Sequence, residues 1–212
     1  TRIVTRRLLD VADSHTYAAA RADGAYSVWE QVLKANDPAD IAAQVKASGL
    51  RGRGGANFPT AVKWESLPDV HPRYLVINAD EGEPGTFKDR TLMELDPHRV
   101  IEGCILGCYG IGAHAAYIYV RDELHLSKAR LWAAIREARA KGYLGKKPFG
   151  LDYEVEVYVH TGAGAYICGE ETSLLNSLEG KRGEPRLKPP FPAQVGAFVC
   201  PTTVNNLETI AE

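Results

Sequence analysis

Hydrophobic positions along the chain fall into blocks of two kinds, short unbroken apolar runs and longer stretches with helical spacing. Arg73-Tyr-Leu-Val-Ile-Asn78 and Ala115-Ala-Tyr-Ile-Tyr-Val120 are of the first kind: rich in β-branched and aromatic residues and without a polar face, they predict strands buried on both sides. Tyr153-Glu-Val-Glu-Val-Tyr-Val159 alternates apolar and acidic positions and predicts a third strand. Patterns of the second kind lie between them. Pro97 to Gly112 is helical, Ser127 to Lys141 is an amphipathic helix closed by Gly142, and Glu170 to Leu178 reads as another helix. Upstream, Asn36-Asp37-Pro38-Ala39-Asp40 offers a cap and a first-turn proline. The short helix it opens has Ile41, Ala42, Val45 and Leu50 as its apolar positions and ends at Gly49.

Strands alternating with helices predict an α/β fold built on a mainly parallel sheet, in which ligands gather at the carboxyl ends of the strands. The loops after Asn78, Val120 and Val159 are therefore where chemistry is expected. Residues 1–35 read as a short helical N-terminal arm and 36–212 as the main domain.

The composition is that of an ordinary globular protein, 212 residues with 45% hydrophobic and 25% charged side chains, long enough to bury a sizeable core. A formal net charge of -2 gives no global support to a nucleic-acid or membrane-surface partner. The most apolar stretch, Val100 to Val120, is broken by Glu102, four glycines and His114, so no membrane span is expected. The start, Thr1-Arg-Ile-Val-Thr-Arg-Arg, is basic without a following apolar stretch, unlike a secretory signal, and a cytoplasmic, reducing compartment is expected. Cys104, Cys108, Cys168 and Cys200 form no C-x-x-C pair; no metal is assigned, and Cys104 and Cys108 read as small buried hydrophobes. The histidines, His160 among them, have no obvious acid–base partner and are read as structural.

Five segments carry candidate chemistry. Gly49-Leu-Arg-Gly-Arg-Gly-Gly-Ala-Asn-Phe-Pro-Thr60 exposes backbone N–H groups beside fixed positive charge, the equipment for holding a phosphate. An ordinary turn or an Arg-Gly-Gly RNA-binding tail would share these features, although such tails repeat and this copy is single, between foldable segments. Asn78-Ala-Asp-Glu-Gly-Glu-Pro-Gly-Thr-Phe-Lys-Asp-Arg90 crowds carboxylates past a strand end, as a solvated acidic turn or as acceptors for ribose hydroxyls. His160-Thr-Gly-Ala-Gly-Ala-Tyr-Ile-Cys-Gly-Glu-Glu-Thr172 pairs permissive glycines with acids that also suit a helix start. Lys188-Pro-Pro-Phe-Pro192 presents a cation and an aromatic on a stiff segment, and Asn205-Asn206 offers paired amides at a helix cap.

Taken in order, Ser48-Gly-Leu-Arg-Gly-Arg-Gly-Gly55, Asn78 to Thr86, Gly162 to Thr172 and Arg186-Leu-Lys-Pro-Pro-Phe-Pro-Ala193 closely resemble the flavin-bearing, NADH-oxidising subunit of respiratory complex I. Diaphorase subunits of NAD-linked hydrogenases and formate dehydrogenases share these motifs. The resemblance runs from about Pro38 to Glu212 and implies a Rossmann-like fold holding FMN. Gly52, Arg53, Gly54, Gly55 and Lys63 would surround the flavin and phosphate, and Asn78, Asp80, Glu81, Gly82, Tyr166, Gly169 and Glu170 would line the ring. Asn205 and Asn206 would cradle the ribityl phosphate. For NADH, Phe58 and Phe191 would hold the adenine, Lys188 would help neutralise the dinucleotide, and Glu83 and Glu171 would contact it.

The implied activity is oxidation of NADH by direct hydride transfer to flavin N5, with no protein acid or base, and single-electron release through an iron–sulfur cluster towards quinone. The partners implied are NADH and neighbouring iron–sulfur subunits, with any membrane association indirect, on the cytoplasmic side of the inner membrane. The alternatives are a diaphorase subunit or a non-catalytic scaffold within such a complex. The family's ubiquitin-like and cluster-bearing regions are expected outside these 212 residues, on a further region or a partner. Asn57 stands where the family commonly has glycine.

Overall fold

The computed structural model describes residues 4–35 and 37–212. Thr1, Arg2 and Ile3 of the basic start, and Asn36 at the head of the first expected helix, lie outside the described residues.

Three short helices open the chain, α1 (Arg6–Asp10), α2 (Tyr17–Ala22) and α3 (Ser27–Ala35). They are packed in. Tyr26 and Trp29 are fully buried in the main core, Tyr26 stacking on Tyr143 at 4.2 Å and bonding His98 Nδ1 at 2.8 Å. Arg7 reaches the fully buried Asp96 at 2.7 Å.

Next come α4 (Pro38–Ser48) and α5 (Thr60–Glu65), the first capped by Asp37, which accepts from Ala39 N, and closed by Gly49 at φ 68°. Four parallel strands follow among the described residues: β1 (Tyr74–Ala79), β2 (Ala115–Arg121), β3 (Glu156–Gly162) and β4 (Thr202–Asn206). They lie in the order β3-β2-β1-β4. Between and after them run α6 (Lys88–Leu95), α7 (Pro97–Ile111), α8 (His125–Ala140), α9 (Glu171–Leu178) and α10 (Leu207–Ala211).

One sheet face packs Leu75, Ile77, Ala116 and Ile118 against the Val100, Ile101, Cys104, Ile105 and Cys108 side of α7 and against α8. The other face carries Val76, Tyr119 and Val204 beneath Leu174, Leu175 and Leu178 of α9. Covering both faces makes the central strands apolar throughout, which is why β1 and β2 stand out in the sequence.

The structure amends the expected elements at three places. The third strand begins three residues later than the alternation indicates, because Val155 leaves the sheet to bridge Gly145. Where the sequence shows only a cap, Thr202–Asn206 forms β4, which both pairs with β1 and ends at the Asn206 cap of α10. α5 and α6 lie outside the expected set, and neither is capped by the side chain of its own N-cap residue.

Candidate functional site

Two adjoining clefts open at the carboxyl edge of the sheet, with volumes of about 680 and 520 Å3. Both are in the size range of small-molecule sites. Gly54, Asn78, Gly169, Glu170 and Asn206 line both, so the two form one continuous depression. The first also takes in Gly52, Phe58, Lys63, Glu171, Lys188, Phe191 and Asn205. The second takes in Arg53, Gly55, Asp80, Glu81, Gly82, Glu83 and Tyr166. Every site residue expected from the sequence thus lines one cleft or the other, although they come from five separate segments.

The glycine segment is held as a closed loop: Gly52 N donates to Phe58 O at 2.8 Å, Thr60 N to Leu50 O at 3.0 Å, and Arg51 Nε to Asn57 O at 3.0 Å. Gly55 has φ 108°, which side chains rarely adopt, and Asn57 has φ 52°. Asparagine tolerates that left-handed conformation, so it can occupy a glycine's place there, and Asn57 lines the first cleft.

Several expected ligand groups are committed elsewhere. The Arg53 guanidinium, expected at a phosphate, forms a two-pronged pair with Glu212 at 2.8 and 2.9 Å, while its amide donates to Thr209 Oγ1. Glu81 accepts from the amides of Asp89 and Arg90 and so caps α6 from outside the helix. Asn206 accepts from Glu208 N and Lys88 Nζ and donates to Asp89 Oδ2, which fixes the side chain and commits one of its two amide N–H groups. Asn78 donates to Gly169 O at 2.8 Å and accepts from Asp80 N at 3.0 Å, bracing the ends of two loops. Asn205 is buried and donates to Thr203 Oγ1. Tyr166 donates to Glu83 at 2.5 Å across the mouth of the second cleft.

Glu170 accepts from the amides of Thr172 and Ser173, the N-cap of α9 that its acidic start suggests. Glu171 lies between two cations, Lys63 at 3.1 Å and Lys188 at 2.6 Å, and Lys188 also reaches Glu170 at 3.3 Å. Burial would raise the Glu171 carboxyl, but Lys63 and Lys188 outweigh it and hold it below its ordinary value. Burial likewise lowers the Lys188 ammonium, and Glu171 and Glu170 more than restore it.

Two buried polar groups at the clefts have no hydrogen-bond partner among the described residues: both carboxylate oxygens of Asp80, and Thr60 Oγ1. Burial raises the Asp80 carboxyl to about 6, with Arg121 opposing the rise and Glu123 adding to it. A buried carboxylate without donors is costly, and it marks the place where a ligand would supply N–H or O–H groups. Thr60, Lys88 and Arg121 are additions to the expected site residues. Lys88, at the second cleft, bonds Asp89, Asn206 and Glu208, and its place inside the acidic segment, among the carboxylates, is the one signal that could have marked it.

The cysteines supply no ligand set: Cys104, Cys108 and Cys168 are buried, and no group of three or more His, Cys, Asp or Glu with metal-binding geometry occurs among the described residues. No helix among those residues is long and apolar enough to cross a membrane.

A doubly covered parallel sheet, a glycine loop and a polar cleft at the strand ends define a nucleotide-cofactor domain of the α/β class. Residues 45–212 match the family described as the Nuo51 FMN-binding domain, and the chain belongs to this family. It is 62% identical over 171 residues to an NADH-quinone oxidoreductase subunit of Rhizobium meliloti (strain 1021), covering 79% of this chain and 39% of that protein. The 51 kDa subunit of the mitochondrial NADH-ubiquinone oxidoreductase of Neurospora crassa is 57% identical over 188 residues, covering 86% and 38%. Among solved structures, an NAD+-reducing NiFe hydrogenase in the air-oxidized state matches with TM-score 0.77 at 39% identity, over 100% of this chain and 33% of that one. The chain thus spans less than half the length of each of these relatives.

Proposed function

We propose that residues 36–212 form an FMN- and NADH-binding unit that oxidises NADH within a multi-subunit oxidoreductase, with residues 1–35 as an arm on the same core. The observation that carries this reading is the convergence of the four motif segments on one depression that contains an undonated buried carboxylate, Asp80. A flavin with its ribityl chain offers N–H and O–H donors to such a group, so the residues present fit FMN.

FMN, when bound, supplies acceptance of two reducing equivalents from NADH and their release one at a time. The chain's own residues bind and orient. Gly54 and Gly55 allow close backbone approach, and Asp80 and Thr60, which line the clefts, carry buried oxygens without protein partners. Phe58 and Phe191, both about half exposed, offer aromatic faces at the first cleft for an adenine. Lys63 and Lys188 meet the dinucleotide's negative charge, and Glu171 accepts ribose hydroxyls while repelling a 2′-phosphate.

The 62% identity to a quinone-linked relative favours delivery towards quinone through iron–sulfur centres on further regions or partner subunits, peripheral to the cytoplasmic side of a membrane. The hydrogenase likeness keeps a diaphorase role as the second reading. Mixing the chain with FMN and following visible absorbance, then adding NADH anaerobically, tests the proposal. A bound flavin that bleaches, with NADH:ferricyanide turnover, is expected. A chain that takes up no FMN refutes it, and one that binds FMN without bleaching or turnover reduces it to a scaffold.

A further inference from the structure

Arg121 ends β2 beneath the second cleft, with its side chain only 16% exposed. Its Nε donates to Glu123 at 2.5 Å and its Nη2 to Gly164 O at 3.2 Å, in the loop that leads from β3 to α9. Its Nη1 lies directly against Gly82, in the loop from β1 to α6, so that a Cβ added there would collide with it. One guanidinium therefore touches both loops that wall the cleft, and its charge opposes the rise that burial imposes on the undonated Asp80. Gly82 is thereby explained by close approach rather than by an unusual backbone angle.

Resting on the FMN reading, we propose that Arg121 is a positioning residue of the flavin site. It clamps the two loops at the separation the cofactor needs and holds the Asp80 carboxylate as a charged acceptor. The groups that face Asp80 are Arg121 and Tyr119 of β2, Glu123 of the turn after it, and the Gly169 backbone from the segment before α9. Arg121 is the cation in this set. Without it, Glu123 and burial act together to favour the protonated acid, a poorer acceptor from a flavin N–H or ribityl hydroxyl.

The test uses Arg121→Ala, Arg121→Lys and Gly82→Ala. Carboxyl-carbon NMR in the FMN-free chain should show the Asp80 titration midpoint rising by about one pH unit in Arg121→Ala and returning most of the way in Arg121→Lys. Quenching of flavin fluorescence should show the FMN Kd about tenfold higher at pH 7 in Arg121→Ala, with the loss of binding on acidification moved to higher pH and largely rescued by lysine. Gly82→Ala should weaken FMN binding when Arg121 is present and far less when residue 121 is alanine. No FMN uptake by the unaltered chain overturns the functional reading. Uptake by the unaltered chain with the same Kd in Arg121→Ala, or an Asp80 midpoint indifferent to Arg121, overturns this inference alone.

Discussion

Replacing Asp80 with asparagine should make the chain more stable while making it a worse host for its cofactor. Asp80 is 7% exposed, and among the described residues neither of its oxygens accepts a hydrogen bond. Its carboxyl stands at about 6 in the fold against an ordinary 3.8. At about 1.4 kcal/mol per pH unit, that gap corresponds to roughly 3 kcal/mol of destabilisation when the group is ionised. Because it lines an open cleft, solvent reduces the figure, and about 1–2 kcal/mol is expected.

The sign follows from the direction of the displacement. A carboxyl raised in the folded state holds its proton more tightly than in the unfolded chain, so its penalty is fully present above the folded value near 6. The penalty fades as pH falls towards 3.8, where both states take up the proton. Urea unfolding of the FMN-free chain at pH 8 should therefore show Asp80→Asn more stable by about 1–2 kcal/mol, with the gain shrinking steadily to pH 5. The same variant should bind FMN about tenfold more weakly at pH 8, since an amide oxygen is a weaker acceptor than a carboxylate. A stability change of the opposite sign, or one that is flat with pH, would refute the reading of Asp80 as an ionised group awaiting a donor.

Three other substitutions probe separate parts of the argument. Glu171→Gln should narrow the preference for NADH over NADPH by about tenfold in kcat/KM, the worth of one partly screened charge; an unchanged ratio places Glu171 away from the 2′-phosphate. Gly54→Val puts side-chain atoms where a Cβ alone would already lie 3.4 Å from Asn206 Cβ, and should weaken FMN binding about tenfold by equilibrium dialysis. Arg7→Ala removes the 2.7 Å partner of the fully buried Asp96 and should cost about 3 kcal/mol in urea unfolding, even though Arg99 remains 3.2 Å from the other oxygen.

What could be read from the sequence follows the locality of the forces. β1 and β2 are sandwiched between layers, so burial on both faces writes an unbroken apolar run, and their expected bounds are right to within a residue. β3 and β4 are edge strands with less apolar signatures. Tyr158 is 45% exposed, and the Thr-Thr-Val-Asn-Asn of β4 satisfies its polar side chains within the fold, Thr202 accepting from Ala197 N and Asn205 donating to Thr203. α6 escapes notice because Glu81 caps it from the preceding loop. The motif residues were legible because glycine, proline and acid clusters are local signals. Which of them remain available to a ligand was not, since Arg53 is taken by Glu212 and Asn206 by Lys88 and Asp89, partners far away in the chain.

The charges of the first cleft show how one arrangement can serve both the empty and the loaded site. Lys63 and Lys188 come from α5 and the proline-rich segment, Glu170 and Glu171 from the start of α9, and together they sum to zero. Part-buried pairs at the edge of an open cleft remain screened by solvent and contribute little to stability, so their value lies in keeping both lysines at the cleft and Glu171 ionised. On the proposed reading, a dinucleotide meets two positioned cations without a large net positive field, and the carboxylate that tethers those cations is the same one that rejects an additional phosphate. Attraction and rejection are then coupled through Glu171. Removing its charge should loosen the lysines as well as relax discrimination, so Glu171→Gln should raise the KM for NADH while lowering that for NADPH.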